Sequence, residues 1–318
     1  MSTLLEVKGL SLGLSYRHLT LVRDVCLELK KGEVLGIVGE SGCGKSLTAL
    51  SLMGLFPPGI KPYSGSVKFK DLSILELSEK ELRKIRGKAI GMVLQDPLSA
   101  LNPVLTIGTQ LEEVITTHLP ELTKSEVKER VVKILKEVGI PDPELRKNSY
   151  PHELSGGLRQ RAMIGIALAA DPELLIADEP TTALDPTVRI QILNLFRSLV
   201  EKKGLSLIFI SHDLGVIRYI SQRVAVFYAG EVVEVSPAKE LFKNPLHPYT
   251  KLLLKSYPSK KGLEIRVKTK VFTPVEGFRG CRFWERCEVR CEQGKEQDPP
   301  MLRLGNREVR CFLYAKNH

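Results

Sequence analysis

A glycine-rich segment, GESGCGKS at residues 39–46, constrains the fold of this chain more than any other feature. It follows a short apolar stretch, VLGIV at 34–38, and precedes a helix-like run, KSLTALSLMGLF. A strand, a glycine-rich loop and a helix in this order form a cradle whose backbone N–H groups face a polyphosphate, because glycines let the backbone approach it closely. The segment therefore predicts a nucleotide-binding loop in a fold that contains a buried strand.

The side chains of this loop have separate predicted roles. Lys45 is placed to neutralise the β- and γ-phosphates of ATP, and Ser46 is placed to bind Mg²⁺ through its hydroxyl. The glycines keep the loop open toward the anion. The candidate ATP-binding residues of the segment are Gly39, Glu40, Ser41, Gly42, Cys43, Gly44, Lys45, Ser46 and Leu47.

Hydropathy patterns predict two kinds of sheet. Partly alternating stretches at 3–10, 21–30 and 65–70 predict a small antiparallel layer. Two continuous apolar stretches, 174–177 and 205–210, each follow a helical pattern, and this β–α alternation predicts a parallel sheet. We therefore expect an α/β fold with an added antiparallel layer.

Two helices have clear end signals. Residues 123–138 repeat apolar side chains at helical spacing, and Thr123 with Glu126 forms a capping-box pattern. Residues 186–203 form a second such pattern, which begins after the capping residue Asp185 and ends before a glycine. Both segments are predicted to be helices that bury one apolar face.

Acidic residues follow one of the apolar strands directly. In LLIADE, Asp178 is placed to hold Mg²⁺, and Glu179 is placed to polarise an attacking water as general base. The next apolar strand ends at His212, which could donate a hydrogen bond to the γ-phosphate. These residues predict hydrolysis of the nucleotide rather than binding alone.

These segments, together with LSGGLRQR at 154–161, resemble the nucleotide-binding domains of ABC transporters. In that family the LSGG segment contacts the γ-phosphate of ATP held by the opposite subunit, so the resemblance implies a dimer. It assigns ATP contacts to Ser155, Gly156 and Gly157, with helix amides facing the anion. The chain departs from the common pattern at Leu158, where many members have Gln.

Other family positions match one by one over about residues 4–235. Gln95 resembles the glutamine that senses Mg²⁺ and the membrane subunit, and His212 resembles the switch histidine. Tyr16 lies where an aromatic ring stacks on adenine, and Asp185, with Ala183 and Leu184, matches the loop that crosses the dimer interface. The resemblance thus implies that Glu179, His212 and Gln95 are catalytic, and that Ser46, Gln95 and Asp178 bind Mg²⁺.

The fold that this resemblance implies is an α/β P-loop NTPase (RecA-like) core with an antiparallel β layer and a helical subdomain at about 96–165. We expect a nucleotide-binding domain at 1–235, followed by a small cysteine-containing extension at 236–318, because the composition changes near residue 235.

The C-terminal extension indicates which branch of the family the chain resembles. NPLHPYTKLLL at 244–254 resembles the segment that follows the core in oligopeptide and dipeptide importer ATPases. Four cysteines follow with the spacing C-x5-C-x3-C-x19-C, and four thiolates can bind zinc or hold an iron–sulfur cluster. The resemblance implies a [4Fe–4S] cluster, with Zn²⁺ or cysteines that hold no ligand as the alternatives. The candidate ligands are Cys281, Cys287, Cys291 and Cys311.

The resemblance also implies partners. We expect two transmembrane permease subunits, a second ATPase subunit (identical or related) and an extracytoplasmic solute-binding protein. No apolar run approaches the ~18 residues of a spanning helix, so we expect a soluble chain held peripherally at the cytoplasmic side of the cell membrane. The expected cargo is di- or oligopeptides, or a related solute such as nickel or short oligosaccharides.

The net charge of +10 keeps one alternative open, a soluble ABC-type ATPase that acts on nucleic acid or ribosomes. Such proteins usually carry two cassettes in one chain, whereas this chain has a single LSGG and no basic platform rich in aromatic residues. We therefore expect no nucleic-acid partner.

Overall fold

The computed structural model describes residues 2–15, 19–255 and 272–317. The chain divides into two units, and both ends of the chain belong to the same one. The first unit comprises Met1–Lys30, Val34–Glu76 and Ile210–His318, and the second comprises Lys31–Glu33 and Leu77–Phe209.

The N-terminal part of the first unit is mostly strand, because its apolar residues alternate or form short continuous runs. An antiparallel sheet forms here, and a separate strand leads into a short helix through the glycine-rich loop. In chain order the elements are β1 (Thr3–Leu14), β2 (Leu19–Lys30), β3 (Val34–Val38), α1 (Lys45–Ser51), β4 (Ile60–Phe69) and β5 (Leu72–Ser73), followed by a 3₁₀ turn at Ile74–Glu76.

The antiparallel sheet has the strand order β2–β1–β4–β5. β1 and β2 pair from Thr3 opposite Lys30 to Leu14 opposite Leu19, and bulges interrupt the register. The predicted antiparallel layer is confirmed, but its strands are longer than predicted. Bulges explain the difference, because they let backbone pairing continue past breaks in the apolar alternation.

The second unit contains most of the long helices. In chain order its elements are α2 (Glu79–Ile85), β6 (Ile90–Val93), α3 (Pro97–Ala100), α4 (Ile107–His118), α5 (Lys124–Glu137), α6 (Pro143–Arg146), a 3₁₀ turn at Pro151–Glu153, α7 (Gly156–Leu168), β7 (Leu174–Asp178) and α8 (Pro186–Lys203). The next strand, β8 (Ser206–Ser211), crosses the division between the units after Phe209.

Both predicted helices are confirmed, and their ends show why. The Thr123 backbone N–H donates to the Glu126 carboxylate at 2.7 Å, and the Glu126 N–H donates to Thr123 Oγ1 at 3.4 Å, which completes the capping box. α8 ends at Gly204, whose φ of 65° lies in the left-handed region that favours glycine. These caps satisfy end groups that the helix itself leaves unpaired.

β6 and β7 are parallel neighbours in the second unit, with Ile90 opposite Leu174 and Val93 opposite Ala177. Every residue of β7 is buried, as expected for a strand covered on both faces. Since the two strands run in the same direction, the residues that follow them leave at the same edge of the sheet.

The C-terminal part of the first unit includes the cysteine-containing extension. The strand order here is β11–β12–β10–β9–β3, with β3 and β9 parallel and the other pairs antiparallel. The elements are α9 (Leu214–Ile220), β9 (Arg223–Tyr228), β10 (Glu231–Pro237), α10 (Ala238–Lys243), α11 (Pro248–Lys255), a 3₁₀ turn at Trp284–Arg286, α12 (Gln293–Glu296), β11 (Met301–Leu304), β12 (Arg307–Arg310) and a 3₁₀ turn at Phe312–Asn317.

The extension is joined to the sheet, because β12 pairs with β10, with Glu234 opposite Val309. The expected boundary at 235 and the helical subdomain at 96–165 stay predictions. In residues 2–15, 19–255 and 272–317, no helix combines the length and the apolar character that crossing a membrane requires.

Candidate functional site

The glycine-rich loop follows the fully buried strand β3 and turns sharply into α1. A Cβ at Gly39 would collide with the carbonyl oxygen of Phe227 and with the Cys43 sulfur, so only glycine fits there. Gly44, which precedes the helix, has a φ of 97°. The predicted order of strand, loop and helix is confirmed.

Lys45 lies inside the loop, with only 4% of its surface exposed. Its ammonium donates to the carbonyl oxygens of Gly39 and Glu40, each at 2.9 Å. Burial raises the pKa of the Cys43 thiol in spite of this ammonium, so the thiol stays neutral. The loop therefore contains one buried cation, which lies against two neutral carbonyl groups.

Part of the loop is accessible. Ser41, Gly42 and Ser46 are exposed, and Leu47 is half-buried. His212 belongs to the same unit and is exposed where β8 ends. Tyr16, the predicted adenine contact, lies outside the described residues.

In the second unit, β7 and the residues after it carry the predicted acids. Asp178 is the last residue of β7 and is buried, with 7% exposed. Glu179 follows with a φ of 47°, an unusual conformation for a residue that has a Cβ. The Thr182 hydroxyl donates to Glu179 Oε2 at 3.0 Å, so the carboxylate is held in place.

Thr182 is a residue that sequence reasoning missed. Its position three residues after the acid was the only available signal, because a Thr hydroxyl reaches a nearby acceptor in a tight turn. Gln95 is exposed two residues after β6. The parallel pairing of β6 with β7 therefore places Gln95 and Asp178 at the same edge of the sheet.

The LSGG segment begins α7, as predicted. Ser155 is the N-cap, and its Oγ accepts the N–H of Leu158 at 3.4 Å. Gly156 is exposed with open space where a Cβ would lie, whereas a Cβ on Gly157 would come within 2.8 Å of a Val188 methyl. The first turn of α7 is thus bare of side chains at Gly156.

Val188 brings α7 next to the start of α8. Asp185, the N-cap of α8, accepts the N–H groups of Thr187 and Val188 at 3.0 Å each. The segment that contains Asp185 therefore lies beside the LSGG segment in the second unit. The carboxylate of Asp185 is engaged in capping its own helix.

The four cysteines of the extension line one small cavity of about 30 Å³. Burial raises the pKa of Cys281 to about 12 and that of Cys311 to about 11, so a metal would have to displace their protons. Across the described part of the chain, no group of three or more His, Cys, Asp or Glu side chains is arranged to hold a metal ion. The expectation of a metal site or an iron–sulfur cluster is therefore not supported by the side-chain geometry.

Two residues of the extension touch the glycine-rich loop, and sequence reasoning missed both contacts. The Tyr249 hydroxyl accepts the N–H of Glu40 at 3.2 Å, and the Arg286 guanidinium holds the Glu40 carboxylate. Arg286 lies 246 residues from its partner, so no local pattern could indicate the pair. Burial raises the pKa of Tyr249, which keeps its hydroxyl protonated.

Comparison with protein families gives two matches along the chain. Residues 22–182 match the family model described as ABC transporter. Residues 233–293 match the model described as oligopeptide/dipeptide transporter, C-terminal region. The first match contains the glycine-rich loop, the LSGG segment and both acids, and the second contains Tyr249 and Arg286.

Similar proteins match over most of their length. The chain is 48% identical to the probable peptide ABC transporter ATP-binding protein y4tR of Sinorhizobium fredii, over 88% of this chain and 85% of that protein. It is 45% identical to the dipeptide transport ATP-binding protein DppD of Bacillus subtilis, over 92% and 88%. It is also 45% identical to the oligopeptide transport ATP-binding protein AppD of the same organism, over 99% and 98%.

Solved structures agree with these matches. A dimeric post-hydrolysis structure of the ATP-binding cassette MJ0796 with ADP and Pi is 29% identical, with a TM-score of 0.65 over 74% of this chain and 98% of that chain. CbiO1 from Clostridium perfringens, part of the transporter complex CbiONQ, is 29% identical, with a TM-score of 0.68 over 77% and 92%. The predicted α/β P-loop fold is thus confirmed, and the chain belongs to the ABC transporter family as one of its ATP-hydrolysing cassettes.

Proposed function

We propose that this chain is the ATPase subunit that energises import of di- or oligopeptides. The match of residues 233–293 to the C-terminal region of oligopeptide/dipeptide transporters carries this proposal. The names of the similar proteins support it, since y4tR, DppD and AppD are all described as peptide transport ATP-binding proteins. Within this proposal, nickel and short oligosaccharides are the alternative cargo.

The second element of the proposal is a dimer in which two chains enclose ATP. Each chain holds the triphosphate in its glycine-rich loop, and the helix start at Ser155–Gly157 of the other chain faces the γ-phosphate. The exposed, side-chain-free turn at Gly156 supports this role, because helix N-terminal amides bind anions. Asp185 lies beside this segment and belongs to the same interface.

Hydrolysis needs a base that orients a water molecule in line with the γ-phosphate. Glu179 is the proposed base, and its hydrogen bond from Thr182 supports the role by fixing where the carboxylate points. His212 is proposed to donate to the γ-phosphate. Tyr16 is proposed to stack on adenine.

The hard oxygen ligands that Mg²⁺ prefers are present among the proposed residues. The Ser46 hydroxyl, the Gln95 amide oxygen and the Asp178 carboxylate would each supply one. When bound, Mg²⁺ would neutralise charge on the β- and γ-phosphate oxygens. Asp178, at the end of a buried strand, is the most buried of the three residues.

The proposed partners are two transmembrane permease subunits, a second ATPase subunit and an extracytoplasmic solute-binding protein. The proposed location is therefore peripheral, at the cytoplasmic side of the cell membrane. Co-purification with permeases and stimulation of hydrolysis by peptide-loaded binding protein test this assembly. Stimulation by nucleic acid or ribosomes alone would instead support the soluble ATPase.

Glu179→Gln tests the catalytic assignment in the full-length chain. Removing a general base typically costs ~10²–10⁴-fold in rate, so turnover of Mg·ATP should fall by about that factor while ATP binding is retained. Glu201→Gln is the matched control, because Glu201 is exposed on α8 and pairs only loosely with Arg197 at 3.7 Å. A Glu179→Gln protein that hydrolyses ATP at the rate of the control would refute the assignment.

We also propose that Cys281, Cys287, Cys291 and Cys311 hold a [4Fe–4S] cluster, with zinc as the alternative. The convergence of four thiols on one cavity supports the proposal, whereas the present side-chain geometry is not that of a metal site. Anaerobic purification should give a brown protein with about four iron and four sulfide per chain. One zinc per chain and no colour would establish the alternative, and metal-free protein would reject both.

A further inference from the structure

Glu40, in the glycine-rich loop, is anchored at three of its groups: the backbone N–H, the carbonyl oxygen and the carboxylate. Its backbone N–H donates to the Tyr249 hydroxyl at 3.2 Å, and its carbonyl oxygen accepts from the Lys45 ammonium at 2.9 Å. Its two carboxylate oxygens accept from Nη1 and Nη2 of Arg286 at 3.0 and 2.9 Å. Two of these three anchors come from the C-terminal extension.

Arg286 is held rigidly on its own side of the pair. Its side chain is 6% exposed, and its guanidinium carbon lies 5.4 Å from the ring centre of Tyr228 and 5.8 Å from that of Phe283. These two rings pack edge to face at 5.2 Å, and both also contact the ring of Tyr249. Because the guanidinium is planar and buried among rings, its two-pronged contact with Glu40 has one defined geometry.

The charge of Glu40 affects nucleotide binding because Glu40 belongs to the phosphate-binding loop. The loop that contains it is the proposed site of a triphosphate, and a carboxylate without a partner would repel that anion. Arg286 neutralises this charge from the side of the extension. The pair is partly shielded from water, since 30% of the Glu40 side chain is exposed, so bulk salt screens it only in part.

We propose that Arg286 is a positioning residue for the nucleotide site, through which the C-terminal extension holds Glu40 and keeps the phosphate-binding loop competent for ATP. The inference rests on the proposed ATP site. It assigns the extension a part in nucleotide affinity. Arg286 immediately precedes Cys287, so the fold of the cysteine segment sets the position of the guanidinium.

The test compares dissociation constants for Mg·ATP, measured by calorimetry on the full-length chain. Arg286→Gln leaves the Glu40 carboxylate without its partner and should weaken binding of Mg·ATP about ten-fold. A change of this size is typical of the interaction between two residues in direct contact, here Arg286 and Glu40. The double variant with Glu40→Gln removes the stranded charge and should recover at least half of that loss on a logarithmic scale. Arg290→Gln should bind as the parent does, because Arg290 is an exposed arginine of the same segment that stacks on Trp284 instead.

A purely structural role for Arg286 would not produce this recovery, since removing the charge of Glu40 does not restore the lost two-pronged contact. The effect should also appear in KM for ATP, with kcat within about two-fold of the parent, because Arg286 does not touch the reacting atoms. If Arg286→Gln does not fold, Arg286→Lys takes its place, and its dissociation constant for Mg·ATP is compared with that of Arg290→Gln. It keeps the charge and loses the two-pronged geometry, and about three-fold weaker binding is expected.

Either of two results would overturn the inference. The first is a folded Arg286→Gln protein (or, in its place, Arg286→Lys) that binds Mg·ATP as tightly as Arg290→Gln. The second is a double variant that binds as weakly as Arg286→Gln. A parent protein that binds no Mg·ATP would instead refute the proposed function, which distinguishes the two failures.

Discussion

The buried carboxylate of Glu234 provides the sharpest test of how the extension is attached to the sheet. Glu234 lies on β10 and is 0% exposed. Its oxygens accept the N–H groups of Leu246 at 3.1 Å and His247 at 2.9 Å, the Ser236 hydroxyl at 3.1 Å, and Arg307 Nη2 at 2.9 Å. One side chain thus holds the segment that begins α11 and the strand β12.

Glu234→Gln keeps the shape of the side chain and removes its charge. Arg307, whose side chain is only 10% exposed, would then lose its buried carboxylate and keep only the exposed carboxylate of Glu240 at 3.8 Å, since its other close acceptors are the Ser236 hydroxyl and a carbonyl oxygen. Breaking a buried pair in this way costs about 3–5 kcal/mol. At ~2 °C per kcal/mol for a chain of this size, Tm should fall by about 6–10 °C.

Differential scanning calorimetry of the full-length chain measures this shift. Glu240→Gln is the control, because Glu240 approaches the same Arg307 at 3.8 Å but is 44% exposed. A surface pair contributes ~0–1 kcal/mol, so the control should move Tm by less than about 2 °C. If Glu234→Gln shifts Tm no more than Glu240→Gln does, the reasoning about the buried pair is wrong.

Two further predictions concern single side chains. Thr182→Val removes the hydroxyl that donates to Glu179, so kcat for ATP hydrolysis should fall several-fold while KM is unchanged. Thr182→Ser keeps a hydroxyl and should restore kcat. Equal rates for the Val and Ser variants would contradict this role of Thr182. Burial lowers the pKa of His247 to about 3, so the unfolded chain takes up a proton below pH 6.5 that the folded chain does not. The free energy of unfolding therefore decreases as the pH is lowered below about 6.5. His247→Asn keeps an acceptor for the backbone N–H of Tyr249 and does not titrate in this range. Urea unfolding should show that the parent loses about 1.2 kcal/mol more unfolding free energy than the variant between pH 7 and pH 5.5. Equal losses in both proteins would contradict a neutral, buried histidine.

Local features were predictable because their causes lie within a few residues. The capping box of Thr123 and Glu126, the cap at Asp185 and the glycine-rich loop each depend on contacts across two to six positions. Steric limits on φ and the unpaired groups at helix ends act on any chain that has such residues. The bounds of α8 were therefore predicted to the residue.

Features that depend on contacts between residues far apart in sequence were either not predicted or predicted only in part. The strands of the antiparallel layer are longer than predicted, because bulges preserve pairing where the apolar alternation stops. The contact between Arg286 and Glu40 had no sequence signal, since both residues are of types that are usually exposed and solvated. The cysteine spacing indicated four ligands, but spacing alone does not place four sulfur atoms at bonding distances.

The sequence by itself determined the family, the nucleotide-binding loop and the candidate catalytic residues, because each is a short motif whose chemistry depends on residue type and spacing. Tertiary structure alone decided that the C-terminal extension joins β10 through β12 and reaches Glu40 through Arg286. Buried ion pairs and strand pairing depend on which distant residues the fold brings within about 3 Å, and that distance follows from the packing of the whole unit rather than from any local pattern.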